Sequence, residues 1–230
     1  MAGLGILIAV LFLALIIAGG IYSYRKNEER KQALAELAKR HGWRFTTDHD
    51  GTMEERFPEF SSLRQGSDRY AYNILEGPDG DRQVCAFDYH YETASTDSKG
   101  RRTTHNHYFS ALVVDTGLPL KPLQIRPEGI FDKLTELFGY DDIDFESDEF
   151  SRKFCVTAED RRWAYDVIHQ ATMEFLLAAP RFTIQIAGPR IMAYHGGLYE
   201  PADFEHALAV VSGIVDRLPA YLQREWQEKH

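Results

Sequence analysis

From Leu4 to Tyr24 the chain reads LGILIAVLFLALIIAGGIYSY, a run without a charged side chain. A helix needs about 20 mostly apolar residues to cross the hydrocarbon core of a bilayer, so residues 1–24 are expected to form a transmembrane anchor. A cleavable signal peptide fits less well, because no basic residue precedes the run and Ala18-Gly19-Gly20 makes a poor cleavage site. Arg25, Lys26, Arg30, Lys31, Lys39 and Arg40 crowd the C-terminal flank, while only Met1, Ala2 and Gly3 lie on the other side. The positive-inside rule then predicts a single pass through the inner membrane with the following domain in the cytoplasm. Over residues 25–42 the apolar positions Ala33, Leu34, Leu37 and Ala38 share one side, the pattern of a juxtamembrane amphipathic helix ended by Gly42. Gly19-Gly20 marks a candidate hinge in the apolar part.

Beyond residue 42 the period of the pattern changes. Trp43 to Thr47 reads as a short strand, residues 48–69 as a polar loop with one helical turn, and Tyr70 to Leu75 as a strand before the turn Gly77-Pro78-Asp79-Gly80. Val84 to Thr93 and Thr103 to Val114 alternate with many aromatic and β-branched residues, which predicts a hairpin with a long polar tip at Ala94 to Arg102. Alternation puts Cys85, Phe87, Tyr89 and Tyr91 on a buried face and leaves Asp88, His90 and Glu92 accessible. Further elements follow: a short strand at Leu123 to Arg126, a helix over Glu128 to Phe138, a strand over Phe150 to Val156, and a helix with Trp163, Val167, Ala171 and Phe175 on its stripe. That last helix would be opened by a capping box at Thr157 to Asp160 and ended by Pro180. Phe182 to Ala187 and Arg190 to His195 suggest a second hairpin around Gly188-Pro189, and Pro201 opens a final amphipathic helix. The predicted fold is one α+β domain over residues 43–230, a curved, mainly antiparallel sheet packed by amphipathic helices and preceded by the transmembrane helix.

The formal charge of −9 falls entirely on residues 25–230. An acidic domain of this kind repels nucleic acid, so the expected partners are the bilayer, through the N-terminal helix, and an unidentified protein. Cys85 and Cys155 stand far apart in apolar contexts without ligand spacing, as core thiols do in a reducing compartment. Trp43, Trp163 and Trp226 read as packing residues.

Candidate chemistry is sparse. There is no GxSxG elbow, phosphate loop, GxGxxG or HExxH motif. With a symmetric hairpin tip, His90 would oppose His107 and Glu92 would oppose His105, and these four side chains would converge as zinc ligands. A metal-dependent hydrolase is therefore the alternative to an interaction module, with the condition that a one-residue slip sends the two pairs to opposite faces. The acidic run Asp141, Asp142, Asp144, Glu146, Asp148 and Glu149 lacks the glycine of a calcium loop.

The segment GYDDIDFESDEFSRKFCVTAEDRRWAYDVIHQATMEFLL, Gly139 to Leu177, resembles the signature of a family of uncharacterised bacterial proteins with one N-terminal membrane span and a domain of unknown function. The stretches LAELAKRHGWRF and VCAFDYHY fit the same pattern. The resemblance implies a bacterial, membrane-anchored, single-domain protein and assigns no role to any residue.

Overall fold

A computed structural model describes residues 2–129 and 142–221, with side chains from Leu11 onward. Helix α1, Ala2–His41, is continuous, so Gly19-Gly20 makes no break. It ends where Gly42 takes the left-handed conformation (φ 70°) that a helix terminus favours in glycine. The order continues β1 (Arg44–Thr46), α2 (Met53–Arg56), a 3₁₀ turn (Ser61–Arg64), β2 (Ser67–Asp79), β3 (Arg82–Thr96), β4 (Arg102–Pro127), α3 (Asp148–Ser151) and β5 (Phe154–Ala158). After these come α4 (Arg161–Val167), α5 (Gln170–Ala178), β6 (Thr183–Gly196) and α6 (Pro201–Val215). The chain is thus α+β, and its six strands form one antiparallel sheet.

Strand β4 organises the sheet. Its first half pairs with β3, its last residues with β5, and its other edge with β6 from Ser110 to Ile125. The predicted hairpin at Gly188-Pro189 is instead one strand, β6. The irregularity lies opposite, where β4 advances from Asp115 to Leu120 while β6 advances only from Arg190 to Gly188. A bulge of this kind absorbs a kink without ending the pairing. The long helix expected through Phe175 is divided at Ile168-His169 into α4 and α5. Its start is capped by Asp160, whose carboxylate accepts from the N–H groups of Arg162 and Trp163, while Thr157 belongs to β5. Phe150 sits on α3, not on a strand. Pro201 does open α6, at the first turn. The helix expected over Glu128 to Phe138 falls mostly on residues 130–138, and Asp141 and Trp226 also lie outside the described residues.

Both faces of the sheet are covered, and this is the main departure from expectation. On one face Cys85, Phe87, Tyr89 and Tyr91 pack with Met53, Phe57, Phe60 and Leu63 from the segment that reads as a polar loop. On the other, Val84, Ala86, Leu112 and Val114 pack with Leu34 and Leu37 of α1 and with α4 to α6. Consequently Asp88 and His90, expected in solvent, are 0% and 3% exposed, and only Glu92 among the three is partly accessible.

Candidate functional site

The hairpin register decides the fate of the histidine cluster. The tip spans Asp97 to Arg101, between the last pair Thr96↔Arg102 and a backbone bond from Asp97 N–H to the Arg101 carbonyl. The Asp97 carboxylate caps it by accepting from the N–H groups of Lys99 and Arg101, and Gly100 supplies the positive φ. An odd-numbered loop centred on Lys99 shifts the register by one from the symmetric expectation. His90 therefore opposes Tyr108, Glu92 opposes Asn106, and His107 and His105 oppose Tyr91 and Thr93. His90 and Glu92 lie on the α1 face, while His105 and His107 lie on the Cys85 face, so the four side chains do not converge. His107 stacks on Tyr91 at 4.7 Å and its Nε2 lies 2.8 Å from the Thr93 hydroxyl; His105 contacts Ser95.

A different trio comes together: one ligand atom from each of Asp68, His90 and Glu92 fits within 4.8 Å. Asp68 reaches it from a bulge of β2, where it adopts φ 50°. The imidazole is already engaged, with Nδ1 donating to the Asp68 carbonyl at 3.0 Å and Nε2 2.9 Å from the Asn106 side chain. Tyr70 and Tyr108 flank the ring at 4.7 and 4.9 Å. Metal binding would have to break one of these bonds, and a single imidazole with two carboxylates is a weak zinc set. Protein purified without a histidine tag is therefore expected to hold substoichiometric transition metal by elemental analysis and to take up none on zinc titration. Stoichiometric zinc lost in His90→Ala would reverse that view and revive the hydrolase.

The most elaborate constellation is one that the sequence does not announce. Arg30 on α1 meets Asp88 at the centre of β3 in a bidentate pair, Nη1 to Oδ2 at 2.6 Å and Nη2 to Oδ1 at 2.9 Å. Its Nε donates to the Tyr199 carbonyl at 2.8 Å. The Asp88 carboxylate also accepts from the Asn73 amide and the Ser110 hydroxyl, and Ser110 in turn accepts from the Tyr199 N–H. Asn73 is held at φ 49° on the second bulge of β2. Burial alone would disfavour charge on Arg30; the hydrogen bond and charge of Asp88 outweigh it and raise the guanidinium further above its ordinary range. A carboxylate with four donors and no exposed surface has no site left for proton exchange with a substrate. The network acts as a clamp that joins α1, β2, β3, β4 and the start of α6.

The thiols are equally quiet. Burial pushes Cys85 well above the ordinary thiol range, partly offset by Arg56, and pushes Cys155 up to about 12, aided by its hydrogen bond to Asp142. Cys85 lines a surface cleft of about 360 Å³ with Arg56, Phe57, Glu76 and Arg190. The two guanidinium groups stand 5.1 and 5.4 Å from the Phe57 ring centre. Each is already paired, Arg56 with Glu76 and Arg190 with Glu59 and Asp115, so the cleft offers no uncompensated charge to a ligand.

No family model and no curated protein matches the sequence. Among solved structures, the chain is similar to the crystal structure of the mycobacterial trehalose monomycolate transport factor A. The TM-score is 0.62 at 14% identity, over 83% of this chain and 96% of that one. At that identity the likeness concerns the fold alone: an antiparallel sheet with helices in this arrangement.

The apolar part of α1 completes the picture. Leu11, Phe12, Leu13, Leu15, Ile16, Ile17 and Ile21 are between 53% and 65% exposed, and Tyr22 and Tyr24 more so. Successive residues turn about 100° around a helix, so this exposure covers its whole circumference. Among the described residues no helix is long and apolar enough to cross a membrane. Their uncharged stretch is residues 11–24; the sequence carries it back to Leu4, whose side chain is outside the described set.

Proposed function

We infer that the protein is a membrane-anchored, non-enzymatic interaction module, held in the inner membrane by α1 with its sheet domain on the cytoplasmic side. The observation that carries this reading is a helix apolar on every side up to Tyr24 that becomes part of the domain core from Arg30 onward. A helix without a polar face belongs in lipid or in a protein core, and none of the described residues covers residues 11–27. Taken with the sequence from Leu4, the uncharged run reaches the roughly 20 residues that span hydrocarbon. Tyr22 and Tyr24 then sit where interfacial aromatics are favoured, followed at once by Arg25 and Lys26.

The Arg30–Asp88 clamp gives the anchor a purpose beyond tethering, because it fixes the pose of the domain relative to the bilayer. A fixed pose suits contact with a second membrane protein and contributes nothing to solution catalysis. The similar solved structure is a transport factor, and an accessory role in membrane transport, exerted by contact, is the form of interaction we favour.

Fractionation with protease protection tests the reading. The protein is expected in the membrane fraction after carbonate and high-salt washes. Its domain should resist protease in intact spheroplasts and be digested once they are lysed. Digestion in intact spheroplasts would place the domain on the other side, and release by carbonate would remove the anchor.

A further inference from the structure

We propose that the cleft beside Phe57 is a docking pocket for a tyrosine side chain presented by a protein partner. The proposal rests on the reading of the chain as an interaction module and names the contact through which it takes that partner.

The cleft forms where the sheet bends. β4 spends extra residues between Asp115 and Leu120, opposite Arg190 and Gly188 of β6, and Phe57 lies over the same end of the Cys85 face. The floor is apolar: Phe57, Cys85 and Val113 are buried, and Cys85 and Val113 stand opposite one another on β3 and β4. The rim is polar, with Arg56 and Glu76 on one side, Arg190 and Asp115 on the other, and Gln83 exposed at its edge. About 360 Å³ is at the low end of ligand pockets, enough for one aromatic ring and the backbone that carries it.

Three features select the group. Arg44 and Arg56 share Glu76, and Arg190 is held by Glu59 and Asp115, so three guanidinium groups meet three carboxylates and an ionic ligand gains no net attraction. Arg56 and Arg190 each lie against the Phe57 ring, and a guanidinium has a second face on which another ring can stack. Among the described residues, Nε and Nη2 of Arg56 and Nη2 of Arg190 have no acceptor, which leaves N–H groups for a neutral one. A phenol oxygen accepts from a guanidinium and donates to a carboxylate, whereas an indole only donates and a phenyl ring does neither. Aromatic and arginine side chains are also those that carry most of the binding energy at protein interfaces.

Position fixes the kind of segment. Gly77 of the cleft abuts Trp43, just past the end of α1. The uncharged run ends at Tyr24, 19 residues earlier, ~28 Å along the helix axis. The partner therefore presents its tyrosine from a segment in water, not from a membrane span.

The test titrates the full chain in detergent with N-acetyl-tyrosinamide and follows its valine methyl NMR signals. A ring in the cleft should shift the Val113 methyls by its ring current and leave those of Val114, on the opposite face of the sheet, in place. N-acetyl-phenylalaninamide should bind about 5-fold more weakly, the net worth of one hydrogen bond, and acetate should shift nothing. Gln83→Trp, which fills the cleft from its exposed rim, should abolish the response. Arg56→Leu, which leaves Glu76 paired with Arg44, should weaken binding at least ~5-fold without lowering the unfolding temperature by more than a few degrees. No Val113 shift with the tyrosine probe, equal affinity for the phenylalanine probe, an equal response to acetate, or a response that survives Gln83→Trp would each overturn the pocket. None of these results moves the chain out of the membrane fraction, so the anchor stands or falls by fractionation alone.

Discussion

Arg30→Ala is expected to lower the unfolding free energy by about 3–5 kcal/mol, far more than the loss of an arginine from a helix surface. The substitution leaves the Asp88 carboxylate fully buried with only Asn73 and Ser110 as donors, and it strips the Tyr199 carbonyl of its arginine donor. An uncompensated buried charge, not the attraction of the lost pair, is what makes the change costly. The same physics predicts recovery: Arg30→Met combined with Asp88→Leu removes both charges and should restore most of the loss, since apolar replacement of a buried pair is often neutral. Thermal or urea unfolding of the full chain in detergent, followed by the fluorescence of Trp43 and Trp163, reads both effects. A cost below about 1 kcal/mol, the range of exposed ion pairs, would mean that water reaches Asp88 and that α1 is not clamped to the sheet. The coupling of the two positions then measures how firmly the anchor is tied to the domain.

Arg30 illustrates how much of this molecule could be read from the chain and where reading stopped. It stands four and seven residues before Leu34 and Leu37, so the helical period places it on the buried stripe, while its charge and its place in the basic flank argue for solvent. Asp88 raised the same conflict between Phe87 and Tyr89. A strand with one open face sends alternate polar residues to water, but a strand covered on both faces sends them to partners. The cover itself was hidden because α2 and the 3₁₀ turn are four residues each, too short to show a period. Met53, Phe57, Phe60 and Leu63 were the only trace of it. The hairpin strands, Gly42 at the end of α1 and Pro201 at the start of α6 were legible because each carries a local physical signature. The register was not, since one residue in the tip decides which face every histidine occupies and no side-chain pattern counts loop residues.

Phe87→Ala and His90→Ala test the two covered faces against each other. Phe87 is fully buried among Phe57, Tyr89 and their neighbours, and its truncation should cost about 3–5 kcal/mol through lost burial and an unfilled cavity. His90 belongs to the opposite layer, gripped between Tyr70 and Tyr108 with both ring nitrogens bonded. Its removal deprives the Asp68 carbonyl and Asn106 of a partner, but Asn106 is exposed and water can replace part of what is lost. The expected cost is about 1–3 kcal/mol, between a surface change and a core truncation. Two outcomes would redraw the fold. Phe87→Ala at only about 1 kcal/mol would mean that α2 and the 3₁₀ turn close that face loosely. His90→Ala within about 0.5 kcal/mol of the parent would mean that the α1 face is wet at the Tyr70–His90–Tyr108 row. In that second case the imidazole would be free to bind a metal with Asp68 and Glu92, and the ordering of Phe87 above His90 would separate a packed two-layer sheet from one with a working open face.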